Sequence, residues 1–105
     1  MSQPKKTDGI LDEAIRITSG DRRKNYGHPL PNHQRIADLW NGYLRARSVN
    51  GDGKHAITQP ELDAKDVVIL MMLVKVAREL HVTKRDNALD IAGYARCLAQ
   101  IQGHE

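Results

Sequence analysis

The stretch that most constrains this chain is Val67-Val68-Ile69-Leu70-Met71-Met72-Leu73-Val74, eight apolar residues in a row. It follows Thr58-Gln59-Pro60-Glu61, a capping box with proline in the first turn, so the pattern predicts one helix from Thr58 to about Leu80. A helix that is apolar on every face must be surrounded by other helices or by another subunit. A chain of 105 residues has room for one core of three or four helices. The expected architecture is therefore all-α, a four-helix bundle-like single domain over residues 1–105, and a homo-oligomer of two or more copies.

Three further helices follow from spacing. Ile10, Leu11, Ala14, Ile15 and Ile17 predict a short helix from Gly9 to Thr18 with Asp8 as its N-cap, ended by Ser19-Gly20. Ile36, Ala37, Leu39, Trp40, Tyr43 and Leu44 share a face between Asn32, a good cap after Pro31, and Arg47; Trp40 is most simply a core anchor. Ala88, Leu89, Ile91, Ala92, Ala95, Leu98 and Ile101 face inward on a last helix from Lys84 to Gln102. Gly93 interrupts it at a cost of about 1 kcal/mol relative to alanine, which permits close approach of another helix or of a ligand. Residues 1–8 read as a flexible N-terminus and 48–57 as a polar surface loop. Asp52 stands there without the alternating oxygen ligands of a calcium loop.

Hydrophobic residues at 40% and charged residues at 28% place the chain in the globular class. With no Phe, the core must be aliphatic, and the few rings, Trp40, Tyr26, Tyr43 and Tyr94, stand out. A net charge of +3 permits an anionic partner without the field expected for duplex nucleic acid. The cations cluster at Arg22, Arg23 and Lys24, which favours a discrete anion such as phosphate. Cys97 is the only cysteine, so no internal disulfide forms and a reducing compartment fits; its simplest role is a small buried hydrophobe. No apolar signal opens the chain and no run is long enough to span a bilayer, so a cytoplasmic protein with no membrane partner is expected.

The segment from Gly20 to Asn32 looks like a loop shaped to hold an anionic, ring-containing ligand. Glycine permits close approach or positive φ there, proline fixes φ, and together they can hold Arg22, Arg23 and Tyr26 in place. His28, beside Pro29, is the histidine to test. His33, His55, His81 and His104 read as solvated or capping residues. A basic helix connector would look similar.

Carboxylates supply the other candidates. Asp86, Asp90 and Tyr94 follow one another at i, i+4 on the last helix, and Asp63 and Asp66 stand at i, i+3 on the third. Four acids on neighbouring helices could hold magnesium, which takes oxygen ligands and bridges phosphates. Acids in first helical turns also answer the helix dipole, which accounts for Asp63, Asp66 and Asp86 without a metal. Asp90, flanked by Leu89 and Ile91, needs a cation or several donors if buried. Lys75 offers either a structural ion pair with it or a ligand contact. No nucleophilic triad, P-loop or Rossmann pattern is present.

Gly20-Asp21-Arg22, Tyr26-Gly27-x-Pro29 and Asn32, then Asp66-Val67 leading to Met72 and Lys75, then Arg85-Asp86 and Asp90-Ile91-Ala92-Gly93-Tyr94, together resemble a family of small bacteriophage-encoded proteins of unassigned activity, over about residues 10 to 100. More distantly, the helical layout is similar to the MazG-type all-α nucleotide pyrophosphohydrolases. That resemblance implies a helical bundle, magnesium and cleavage of nucleoside triphosphates, but those enzymes use Glu-x-x-Glu and Glu-x-x-Asp pairs. This chain has only Asp63-x-x-Asp66 and Asp86-x-x-x-Asp90.

Three functions remain open. A phage nucleotide-binding protein would capture a nucleotide, or a nucleotide-derived signal of a host defence system, without turnover and without a cofactor. Arg22, Arg23 and Lys24 would meet phosphate, Tyr26 would stack on a base, and Asn32 or Asp90 would read polar edges, with His28, Lys75, Arg85 and Tyr94 completing the site. A magnesium-dependent pyrophosphohydrolase would hold metal on Asp63, Asp66, Asp86 and Asp90. A helical adaptor would use the apolar helix as its interface and the basic loop to meet an acidic partner.

Overall fold

The computed structural model describes residues 9–56 and 61–105. It contains five helices, α1 (Ile10–Ser19), α2 (Asp21–Tyr26), α3 (Pro29–Arg47), α4 (Ala64–His81) and α5 (Arg85–Ile101). Four are long and one is short. Among the described residues the only β pairing is an isolated antiparallel bridge between Val49 and His55, which pinches the 48–56 loop. The expected all-α fold is thus present. The N-terminal segment 1–8, the cap at Asp8 and the Thr58-Gln59-Pro60 part of the expected capping box lie outside the described residues.

Helix starts differ from the sequence expectations for identifiable reasons. At α1 the N-cap position is Gly9, which offers no side-chain cap. The segment from Gly20 to Asn32 is largely helical and not a loop. α2 forms six residues between two glycines, and Gly27 closes it with φ +74° and an N–H donated to the Arg23 carbonyl at 2.8 Å. That left-handed conformation suits glycine, which has no Cβ to clash. α3 starts at Pro29, three residues before the expected Asn32, because His28 caps it: His28 Nδ1 accepts from the Leu30 N–H at 3.0 Å, and Pro29 occupies the first turn, where no N–H is needed.

α4 opens at Ala64, with Asp63 as the N-cap. Asp63 Oδ1 accepts from the Asp66 N–H at 2.9 Å and Asp66 Oδ2 accepts from the Asp63 N–H at 2.9 Å, a reciprocal capping box. The backbone hydrogen bond from Asp66 holds the Asp63 carboxyl below its ordinary range. Asp63→Ala is expected to cost about 1 kcal/mol in denaturant melts. The lowered value fixes the pH sense: the ionised cap stabilises above the ordinary value of 3.8, and that contribution disappears as pH falls below it, so wild type and variant converge in acid.

Packing radiates from α5 and α4. α5 lies against α4 and α1, and α3 packs on α4, while α2 bridges α1 to α3. Val67 and Val68 are the largest fully buried side chains, supported by Ala14, Ala37, Ala64 and Leu89. Polar contacts lock the joints. Asn41 on α3 exchanges two 2.9 Å hydrogen bonds with the Leu62 backbone, fixing the approach to α4. Arg96 on α5 donates to the Ile15 carbonyl at 3.0 Å, to Thr18 Oγ1 at 2.8 Å and to Ser19 Oγ, tying α5 to the end of α1. Asn87 donates to Glu79 Oε1 at 3.0 Å across the α4–α5 turn.

The core is narrower than the periodicity suggests. Leu39, Tyr43 and Leu44 on α3 and Ala88 and Ala95 on α5 are exposed, although their spacing places them on the inward faces. The apolar run on α4 buries Val67 and Val68 and then leaves Ile69, Leu70, Leu73 and Val74 exposed, with Val76 and, at 85%, Leu80 exposed beyond it. Helices on two sides of α4 cannot cover a cylinder that is apolar all round.

Candidate functional site

Two helical stripes that do not fully close on each other frame a pocket. Asp90, Gly93, Tyr94, Cys97 and Gln100 lie along one face of α5, and Pro29, Asn32, His33, Ile36 and Trp40 along one face of α3, both at spacings of three and four. Met71 of α4 also lines the space. α2 adds Arg22, Arg23 and Tyr26 with the Gly27 turn, and α1 adds Thr18. The cavity measures about 440 Å³. Small-molecule sites commonly enclose ~300–1,000 Å³ and combine apolar walls with a few polar groups.

The arrangement places cations, rings and hydrogen-bonding groups around one space. His33, expected to be solvated or capping, is buried; its Nδ1 sits 2.7 Å from the Pro29 carbonyl, and its ring meets Tyr94 edge-on at 6.5 Å and 81°. That contact fixes the Tyr94 ring as part of the wall. Burial, and secondarily the Asp90 charge, raises the Tyr94 phenol above its ordinary value, while Arg22 acts in the opposite sense. Burial likewise pushes the Cys97 thiol up against the opposing charges of Arg22, Arg96 and Arg23. Tyr94 therefore feels Arg22 and Asp90 together, which puts a cation and a carboxylate of one pocket around one ring.

The structure brings Arg22, Arg23, Tyr26, Asn32, Asp90 and Tyr94 to the pocket and leaves the other expected ligand residues outside its lining. Lys24 is exposed on the short helix. His28 spends its Nδ1 on the α3 cap. Arg85 reaches back to the buried Glu13 of α1 at 2.6 Å. Lys75 is not part of the lining but pairs with it, its Nζ 3.1 Å from Asp90 Oδ2, with the two side chains 14% and 23% exposed. Trp40, read as a core anchor, is half-buried in the lining, as is Cys97.

The four carboxylates considered for magnesium do not form a donor set. Asp63 and Asp66 are engaged in the α4 capping box, Asp86 is exposed in the first turn of α5, and Asp90 faces Lys75. Among the described residues no three His, Cys, Asp or Glu side chains converge as metal ligands. These residues do not fit the ion.

Gly93 is buried where α5 passes α1, and a Cβ built on it would stand 3.6 Å from Thr18 Cγ2, an ordinary contact. Helix packing therefore does not require glycine. Gly93→Ala is expected to raise stability by about 0.5–1 kcal/mol in a denaturant melt, because it removes backbone entropy from the unfolded chain. Its methyl group would stand beside Thr18, at the pocket lining.

Fold and site together define a small all-α protein with a cationic and aromatic groove between two helices. Residues 9–102 match the family described as a domain of unknown function (DUF6378), and the chain belongs to that family. It is 40% identical over 96 residues to the Gene 55 protein of Mycobacterium phage D29, a match covering 90% of this chain and 54% of that protein. It is 36% identical over 94 residues to the Gene 55 protein of Mycobacterium phage L5, covering 89% and 52%. The chain thus spans about half the length of the curated relatives it matches. No solved structure matches it. The resemblance to a bacteriophage family stands at this level, and the matches give no support to a likeness with MazG-type enzymes. Among the described residues no helix is long and apolar enough to cross a membrane.

Proposed function

We propose that this protein binds a nucleotide, or a signalling molecule built from nucleotides, and captures it without turnover. The observation that carries the reading is the convergence of Arg22 and Arg23 with Tyr26, Trp40 and Tyr94 around one cavity. Guanidinium groups meet phosphate oxygens in paired, charge-assisted hydrogen bonds, and aromatic faces stack on bases of any sequence. Asn32 and Gln100 offer amide groups to polar edges. Capture is favoured over cleavage because the acids that would organise a metal are dispersed. In a bacteriophage member of the family, such a protein would act in the host cytoplasm on a nucleotide-derived defence signal.

The direct test is calorimetric titration with a panel of nucleoside mono-, di- and triphosphates and cyclic oligonucleotides, followed by chromatography of the denatured mixture. Binding with intact ligand recovered supports capture. Product appearing overturns it in favour of hydrolysis, and heat-silent titration across the panel overturns nucleotide binding. Cys97 supplies an independent reporter, since it is the only cysteine and lines the pocket. Its raised thiol reacts slowly near neutrality. At mildly alkaline pH a bound nucleotide is expected to slow its alkylation further.

The exposed aliphatic side of α4 supports self-association. A continuous apolar stripe is self-complementary about a two-fold axis, and patches of more than a few hundred Å² mark interaction surfaces. Leu73→Glu, at a position 56% exposed, is expected to convert an oligomer to monomer in light scattering without loss of helicity. A wild-type monomer at micromolar concentration would favour the adaptor reading for this face.

A further inference from the structure

We propose that Asp90 orients the ligand by accepting a pair of adjacent hydrogen-bond donors, so that the pocket takes a nucleotide whose guanine amide–amine edge or ribose cis-diol faces α5 while its phosphate faces α2. This rests on the nucleotide-binding reading above. Asp90 lines the cavity and Lys75 does not, yet their charges are 3.1 Å apart. Lys75 engages the carboxylate at Oδ2 from outside the cavity lining. Among the described residues it is the one ion-pair partner of Asp90. An ionised carboxylate has about four acceptor sites, and one ammonium leaves most of them open.

A carboxylate is out of place in a pocket built only to hold anions. It opposes the field that Arg22 and Arg23 create, and like charges at close range repel. A purely structural ion pair between α4 and α5 gains little over well-packed apolar residues, so helix packing alone does not call for a charge in this wall. A ligand that is anionic at one end and rich in donors at the other resolves the conflict. Its phosphate is excluded from the Asp90 side and drawn to the arginines. The base or sugar is placed beside Tyr94, the ring that feels both Arg22 and Asp90. A site built to satisfy donors discriminates strongly against ligands lacking them, because its own acceptor is then left unpaired.

The experiment titrates native protein with guanosine monophosphate, inosine monophosphate, which lacks the 2-amino group, and 2′-deoxyguanosine monophosphate, which lacks one hydroxyl of the diol. The expected result is a loss of about tenfold or more for one of the two analogues, and which one identifies the donor pair. Asp90→Asn should reduce that preference to less than about threefold while leaving a measurable phosphate-driven affinity. Equal affinity of the three ligands for native protein would overturn the inference and leave nucleotide binding standing, as would a preference preserved in folded Asp90→Asn. If none of the three binds, yet other nucleotides do, the donor-pair requirement also falls. If no nucleotide binds at all, the reading beneath it falls first.

Discussion

Replacing Arg22 and Arg23 together by alanine should lower affinity for the best-binding nucleoside phosphate by about a hundredfold or more, while the melting temperature moves by only a few degrees. The magnitude follows from the contacts removed. A hydrogen bond to a charged group contributes about 1.5–3 kcal/mol and each 1.4 kcal/mol is tenfold in binding, so two guanidiniums lost from one phosphate site account for two decades. The small stability change follows from position. Arg22 is exposed and Arg23 half-buried on a six-residue helix, and substitutions at such places rarely change stability by more than about 0.5 kcal/mol. Calorimetric titration paired with a thermal melt reads both quantities. A nucleotide affinity unchanged within twofold would mean that the cations are ordinary surface charge and that the pocket, if it binds anything, binds through its rings. Salt offers a cross-check, since interactions at an open cationic rim weaken with ionic strength more than stacking does.

What the sequence discloses about this molecule depends on how far each signal reaches. α5 is legible within a residue at each end, because its small and aliphatic residues recur over more than four turns. α2 is not legible. Six residues between glycines carry less than two turns of periodicity, and the same Gly20, Gly27 and Pro29 that bound the helix are the residues that make the segment look like a loop. The start of α4 at Ala64 is not legible either, since the sequence offers two capping signals, at Thr58 to Glu61 and at Asp63 to Asp66, and spacing alone does not choose between them.

The pocket shows the same limit. Arg22, Arg23, Tyr26 and Asn32 are conspicuous because they cluster locally, whereas His33, Trp40, Cys97 and Gln100 reach the same cavity only through helix faces that cross in three dimensions. Their i, i+3, i+4 stripes mix rings, a thiol and amides, and a stripe that is neither plainly apolar nor plainly charged is the signal that points to them. His28 and Arg85 mislead for the opposite reason. Each is a chemically capable side chain, but one caps a helix and the other pairs with Glu13, whose burial on α1 makes that pairing necessary.

Lys75→Met should be the most damaging of the conservative single changes at the α4–α5 contact, lowering stability by about 2 kcal/mol. Removing one member of a fully buried ion pair costs about 3–5 kcal/mol because the other charge is left without compensation. Here the side chains keep 14% and 23% of their exposure, so water offsets part of that cost. In a domain of this size the loss appears as a fall of roughly 10 °C in melting temperature. Asp90→Asn should be milder, since the lysine stem lets its ammonium swing toward solvent. The double variant Lys75→Met/Asp90→Asn should recover most of the stability lost by Lys75→Met, because no charge is then stranded. A double-mutant cycle on denaturant melts gives the coupling directly, and strictly additive losses would sink the ion pair as a packing device. The same double variant separates the two roles assigned to Asp90. Refolding the scaffold without the carboxylate restores what packing needs and withholds what donor recognition needs, so stability should return while the preference among guanosine, inosine and deoxyguanosine monophosphates does not.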